Sequence, residues 1–283
     1  MRYIEDFSYF SDGKLILPKR PERSNKGDFG RVLCVCGSYG MAGASYLSAL
    51  GAYRTGAGLV EIFAPEENRI ILQTLIPEAV LTVYDESSSY ENKLLCALER
   101  CDSVVIGCGL GRTSLSLDIL KTVLRNSTVP TVVDADALNL ISEHPVLYKY
   151  LGGKIITPHI KEFSRLSGLP IEYILENTAV TAQRFAADNS LVCVLKDHRT
   201  VVSDGSEKVY INQGGNSGMA TGGSGDVLVG IIGALLAQSH LSLPNFDAAA
   251  LGVYIHSRAG DRAAESRGEY SVMARDIAEN III

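Results

Sequence analysis

Several common chemistries are missing from this 283-residue chain. It has no G-x-x-x-x-G-K-[ST] phosphate loop. Its Gly107-x-Gly109-x-Gly111 segment does not have the spacing of the dinucleotide fingerprint. No two cysteines stand in a C-x-x-C pair and none lies near a histidine at zinc-finger spacing. Cys34, Cys36, Cys96, Cys101, Cys108 and Cys193 therefore read as free thiols, mostly buried, in a reducing compartment. The 26 lysines and arginines are scattered and the formal charge is −6, which argues against a nucleic-acid partner. Their densest patch, Lys19-Arg20-Pro21-Glu22-Arg23, is interrupted and reads as a solvated arm. No apolar stretch reaches membrane-spanning length without charge or turn residues. The first ten residues carry Glu5 and Asp6 and lack the apolar core of a secretory signal. A cytoplasmic protein with no membrane partner is expected. No low-complexity linker or repeat divides the chain, so one domain over residues 1–283, with 1–25 as an arm, is the economical organisation.

What is present is glycine, concentrated in one place. Six of the twelve residues 214–225 are glycine, and Asp226 and a long apolar run, 227–237, follow at once. Glycine at this density forgoes side-chain packing and costs backbone entropy, which is tolerated where main chain must approach something closely. The run after it is apolar on nearly every face and reads as a buried helix. A glycine loop that opens a helix turns several free N–H groups toward one point, where an anion fits. Gly222, Gly223, Ser224 and Gly225 are the candidate anion hole, and Asp226 puts a fixed base beside it. That is a phosphoryl-transfer constellation.

The rest of the chain alternates. Short β-branched runs at 31–37, 58–63, 79–83, 102–107, 131–133, 154–156 and 191–195 read as strands. Helical spacing fills 45–57, 66–75, 90–100, 114–125, 161–168 and 172–188, and a small-residue turn is expected at 38–44. Residues 200–202 and 208–211 look like a hairpin, and two more helices close the chain at 247–266 and from 271 onward. Alternation of this kind predicts a doubly wound, mostly parallel α/β sheet with helices on both faces. Ligands of such sheets bind beyond the carboxyl ends of the strands, where nearly all the unusual residues fall.

Each of these residues has a plain structural reading beside the functional one. Gly107-x-Gly109-x-Gly111 alone is more often a tight strand-to-helix turn than a ligand contact. Asp136 serves by default as the N-cap of a helix from Ala137, and Asp134 is open between metal or substrate binding and turn chemistry. His159 follows Thr157-Pro158, with Glu162 three residues on. A capping arrangement from Thr157 or His159 and a carboxylate near Mg²⁺ and phosphate weigh about equally. Lys196-Asp197-His198-Arg199-Thr200 suits either a solvated turn or an anionic nucleotide tail. Asp226 is either a helix N-terminal acid, worth on the order of 0.5 kcal/mol, or a base that takes a hydroxyl proton late in transfer. The loop before it favours the second. The helix dipole is expected to lower its pKa.

Asn216-x-Gly218-Met219-Ala220-Thr221-Gly222-Gly223-Ser224-Gly225-Asp226-Val227-Leu228 closely resembles the signature of the ADP-dependent NAD(P)H-hydrate dehydratases, members of the ribokinase-like superfamily. Lys26-Gly27-Asp28-Phe29-Gly30-Arg31, Gly40-Met41-Ala42-Gly43-Ala44, Asp134-Ala135-Asp136-Ala137-Leu138-Asn139, Thr157-Pro158-His159 and Val194-Leu195-Lys196 match in the family's order. The resemblance implies an enzyme that repairs the hydrated, damaged (S) form of NADH or NADPH. It would use ADP and Mg²⁺ and yield AMP and phosphate. It implies substrate contacts from Ala44, Gly111, His159 and Asp226. Lys196, Asp197, His198, Arg199, Thr200 and Gly225 would hold the adenine nucleotide. Asp226 would be the catalytic residue, and Glu162 a metal contact, through water. It further implies a homotetramer and a stand-alone form working with a separate NAD(P)H-hydrate epimerase. Lys161 and Asp197 stand where the family commonly has glycine. The nearest alternative is an ATP-dependent alcohol kinase of the same superfamily, and a more distant one is a nucleotide-binding regulator without turnover.

Overall fold

Apolar runs with little alternation need cover on both faces, and a parallel sheet between two helical layers supplies it. The computed structural model describes residues 10–11, 14–15, 17–85 and 90–283. A small antiparallel ribbon, β1 (Phe10–Ser11) and β2 (Lys14–Leu15), precedes the main sheet. Much of the expected N-terminal arm, and nearly all of the segment searched for a secretory signal, lie outside the described residues. In the main sheet β3 (Arg31–Val35), β4 (Leu59–Pro65), β5 (Val80–Tyr84), β6 (Ser103–Ile106), β7 (Thr131–Val133), β8 (Ile155–Ile156) and β9 (Val192–Leu195) are all parallel. The expected hairpin, β10 (Val201–Ser203) and β11 (Val209–Ile211), adds two antiparallel strands at one edge. The order is β11-β10-β9-β8-β7-β6-β3-β4-β5. The chain starts at β3, runs outward through β4 and β5, and returns to β6 on the other side. The switch point therefore lies between β3 and β6, and the loops after these strands are joined there by Gly37 N–H donating to Cys108 O at 2.8 Å.

The pleat sorts side chains into two cores. Val32, Cys34 and Cys36 face α1 (Ala42–Arg54), α9 (Ser224–Ala237), α10 (Asn245–Arg267) and α11 (Ala274–Glu279). Leu33 and Val35 face α3 (Tyr90–Leu98), α4 (Ser114–Asn126), α5 (Ala135–Glu143), α6 (Ile160–Ser167), α7 (Ile171–Glu176) and α8 (Thr178–Asn189). A short α2 (Arg69–Leu75) precedes β5 and buries Leu72 in the first core. All six cysteines are free, and all but Cys96 are buried. Among the described residues no helix is long and apolar enough to cross a membrane.

Three expectations change. α1 starts at Ala42, inside the predicted turn, because its opening residues are small, and alanine, the best helix former among them, is passed over by a search for large apolar side chains. α9 starts at Ser224, so Ser224, Gly225 and Asp226 are its first turn rather than a preceding loop. The helix expected over 172–188 is two, α7 and α8, parted at Asn177, whose φ of −132° leaves the helical region. Arg20, in the stretch read as a solvated arm, stacks 3.8 Å from the Phe29 ring and donates to Gly56 O.

α9 lies in direct backbone contact with α1. A Cβ on Gly230 would stand 2.1 Å from Ser48 O, and one on Gly51 would stand 2.6 Å from Val227 O. This contact sets how deeply the first turn of α9 sits over the sheet. Gly230→Ala should destabilise the fold by about 3 kcal/mol, read as a lower urea midpoint at unchanged m-value. Gly152→Ala, where an added Cβ meets nothing within 4 Å, should stay within about 0.5 kcal/mol of the parent.

Candidate active site

The same pleat builds the site. Val132, Ile155 and Val194 face α9, so Asp134, Thr157 and Lys196, two residues further on, face it too at the carboxyl ends of β7, β8 and β9. Lys196 Nζ lies 2.6 Å from Asp134 Oδ1, and the Asp134 side chain is only 2% exposed. The pair spans Thr157, whose buried hydroxyl has no hydrogen-bond partner among the described residues. Ala135, next to Asp134, has φ +48°, a left-handed conformation that costs a non-glycine residue about 1–2 kcal/mol. α5 thus begins two residues earlier than expected. Asp136 is not its cap but accepts a 2.8 Å hydrogen bond from Gly111 N–H.

The first turn of α9 rests on this ion pair. A Cβ on Gly225 would stand 3.4 Å from Lys196 Nζ and 3.6 Å from Asp134 Oδ2, so glycine leaves the pair open to the space above. Gly223 caps the helix at φ +90° without a side-chain bond. The amides of Gly222, Gly223, Gly225 and Asp226 find no acceptor among the described residues, whereas Ser224 N–H is committed to Thr221 O at 3.3 Å. Free amides at a helix N-terminus are the anion-binding element read from the sequence. The pKa of Asp226 is pushed up to about 6, first by burial and then by Asp134, against the Cys108 thiol and Lys196. The expected lowering by the helix dipole is overridden, because a dipole end is a weaker influence than desolvation beside a second carboxylate.

A cleft of about 880 Å³ opens beside this turn. Lys196, Asp197, His198, Arg199, Thr200, His159, Ser224 and Gly225 all line it. The 196–200 loop is braced internally. Asp197 pairs with His198 at 3.2 Å, Thr200 Oγ1 donates to Asp197 O at 3.2 Å, and Arg199 donates to Gln213 Oε1. Ala44 and Gly111 lie apart from the cleft, at the switch point. A Cβ on Gly109 would stand 2.8 Å from the Ala44 Cβ, and one on Gly111 would stand 3.5 Å from Ser38 Oγ. Asp226 is close to both groups, since Lys196 of the cleft and Cys108 of the Gly107–Gly111 loop each act to lower its pKa.

His159 and Glu162 form a reciprocal capping box at the start of α6. Glu162 N–H donates to His159 Nδ1 at 3.1 Å, and His159 N–H donates to Glu162 Oε2 at 2.9 Å. His159, not Thr157, is the cap. Burial, and then Lys196, lowers the His159 pKa; burial raises that of Glu162. Among the described residues no group of three or more His, Cys, Asp or Glu side chains is placed to hold a metal ion.

Sequence reasoning missed the contribution of α10. His256 is buried, and its Nε2 lies 3.3 Å from Ser224 Oγ. Ser257 Oγ donates to Asn212 Oδ1 at 3.2 Å. Asp261 accepts from Gly215 N–H at 3.2 Å and from Asn216 Nδ2 at 3.1 Å. The available signal was the polar trio His256, Ser257 and Asp261, which follows a mostly small and apolar stretch of the helix.

The NAD(P)H-hydrate dehydratase family model matches residues 32–283. A bifunctional NAD(P)H-hydrate repair enzyme of Moorella thermoacetica is 41% identical over 93% of this chain and 50% of its own length. The chain thus spans about half the length of that relative. An ADP-dependent (S)-NAD(P)H-hydrate dehydratase of Neisseria meningitidis is 36% identical over 89% of this chain and 83% of its own. Among solved structures, an ADP/ATP-dependent NAD(P)H-hydrate dehydratase of Bacillus subtilis, co-crystallised with ATP and Mg²⁺, is 26% identical. It superposes with a TM-score of 0.78 over 94% of this chain and 92% of its own. The doubly wound sheet is the ribokinase-like fold expected from the sequence.

The raised pKa of Asp226 carries a stability signature. Folded at about 6 against 3.8 for the ordinary side chain, the group binds more protons folded than unfolded between these values. Stability is therefore lost as pH rises through that window. Asp226→Asn should exceed the wild type by about 1–3 kcal/mol at pH 7.5, with the difference shrinking to near zero by pH 4. Urea titrations at both pH values check this; a gap independent of pH would refute it.

Proposed function

This chain belongs to the NAD(P)H-hydrate dehydratase family, and on that premise we propose that it dehydrates the (S) hydrate of NADH or NADPH at the expense of ADP. The observation that carries the reading is the meeting at Asp226 of an anion-binding helix start and the switch-point loops. Hydroxide is a poor leaving group, so direct dehydration at neutral pH is slow. Transfer of the terminal phosphoryl group of ADP to the carbinol oxygen leaves AMP and turns that oxygen into part of a phosphate ester. The lone pair of the ring nitrogen then expels phosphate, and loss of a proton from the adjacent carbon restores the dihydropyridine. Asp226 accepts the hydroxyl proton as the new P–O bond forms. The free amides of Gly222, Gly223 and Gly225 stabilise the charge on the transferred group.

In this reading the nucleotide lies along the 196–200 loop and over Gly225, and the hydrate lies toward Ala44, Gly111 and His159. Lys196, held by Asp134, gives the phosphates a fixed positive charge. The donor set suits a Mg²⁺ that arrives with the nucleotide rather than one in an all-protein cage, because hydrated Mg²⁺ bound to phosphates needs only one or two carboxylates. Glu162 would hold it, through water, and the ion would supply charge neutralisation between the phosphates. The greater length of the bifunctional relative supports a second repair step beside this one, for which a separate NAD(P)H-hydrate epimerase is the partner we expect. A homotetramer in the cytoplasm completes the proposal.

Incubation of the protein with NADH hydrate, ADP and Mg²⁺ should restore dihydropyridine absorbance. No recovery with either ADP or ATP would sink the reading, and a stable phosphorylated product made with ATP would favour the alcohol-kinase alternative. Asp226→Ala should lose about 10²–10⁴-fold in turnover and still bind nucleotide. A base must be deprotonated to act, so kcat/KM should fall as pH drops through about 6, the value set for Asp226 by burial.

A further inference from the structure

α10 reaches the anion-binding turn through one side chain. Ser224 is the sole member of that turn with a hydroxyl, and its amide is already spent on Thr221 O. Whatever Ser224 offers an anion must therefore come from Oγ. That oxygen carries one proton and two lone pairs, and left alone it rotates among several directions, including back toward the carbonyls of the preceding turn. His256 Nε2 at 3.3 Å, with the Ser224 backbone also in its reach, lets the ring and the hydroxyl bond each other in two arrangements. In one, Ser224 donates to the ring and turns only lone pairs toward the cleft, which repels an anion. In the other, the ring donates to Ser224 Oγ and the hydroxyl proton is free to point outward. His256 is buried and its pKa is lowered to about 4, first by burial, so at neutral pH the ring is uncharged and bears one N–H. An anionic phosphoryl group in the cleft selects the second arrangement.

We propose that His256 is a positioning residue for phosphoryl transfer: its Nε2–H donates to Ser224 Oγ and turns the Ser224 hydroxyl proton into the cleft, adding a side-chain donor to the free amides of the α9 turn. The assignment rests on the dehydratase reading, and it deepens that reading by giving α10 a part in the chemistry. The helix is well anchored for it, since Ser257 and Asp261 tie the same face to the 212–216 segment.

Glutamine and asparagine separate this role from a structural one. The amide nitrogen of glutamine falls near the place of Nε2, and that of asparagine near the place of Nδ1. Both are polar, smaller than the imidazole and compatible with a helix. His256→Asn and Ser224→Ala should each lower kcat on the order of 10²-fold, with KM for ADP changed less than about threefold. The double variant His256→Asn/Ser224→Ala should be no slower than the slower single variant, because both remove one donor. His256→Gln should recover most of the loss. Losses that multiply in the double variant, equal losses for His256→Gln and His256→Asn, or an effect confined to KM or to Tm would each overturn the assignment. A wild type with no dehydratase turnover would instead remove the functional reading, and this assignment with it.

Discussion

The buried ion pair of Lys196 and Asp134 is the interaction on which the candidate site depends. Each charge alone at the carboxyl end of the sheet would carry a desolvation cost of several kcal/mol. Together they form a fixed dipole at the ends of β7 and β9, spanning β8. Three features follow from it. The first turn of α9 comes down onto the pair at Gly225, where a Cβ would already be in van der Waals contact with Lys196 Nζ and Asp134 Oδ2. Asp226 feels Asp134 as a like charge and Lys196 as an opposite one, and the balance, with burial, leaves it with a pKa of about 6. His159 is kept toward its neutral form first by burial and then by Lys196, with Asp134 opposing.

Geometry this close needs the helix above it to be set accurately, and that is done from two sides. On the α1 side, Gly51 and Gly230 bring two helix backbones together, so the height of α9 is fixed by main-chain contact. On the α10 side, His256 lies within hydrogen-bond distance of Ser224 in the turn, while Ser257 and Asp261 hold α10 to the 212–216 segment that leads into it. Apolar close packing sets the position of the turn, and polar contacts set the orientation of the groups that it presents.

Much of this was legible in the sequence. Strand runs bounded by glycine and acidic residues gave the parallel sheet and the edge hairpin, because β-branched segments buried on both faces leave few alternatives. The glycine run before Asp226 pointed to free backbone amides at a helix start, and α9 has them. The Lys196–Asp134 pair was not, since 62 residues separate the partners and only the strand order brings them together. The pKa direction of Asp226 was misjudged because the helix dipole is local and visible in sequence, whereas burial and Asp134 are tertiary. Asp136 looked like a cap because a cap needs only a following helix; its real partner, Gly111, comes from another loop. His256 sits in a helix whose spacing says core, and nothing along the chain indicates that Ser224 lies opposite.

The capping box at His159 has a consequence for proton traffic. Nδ1 receives a backbone N–H from Glu162, so its lone pair is occupied and the proton of the neutral ring is confined to Nε2. The end of α6 has thereby chosen the tautomer: Nε2, 3.4 Å from Glu162 Oε1 at the edge of the cleft, is the donor, and the ring has no vacant acceptor. It can grip an oxygen of a bound molecule, but it cannot collect a proton without giving up the helix end it caps. A local folding device has in this way closed one direction of chemistry at this ring while keeping the other open.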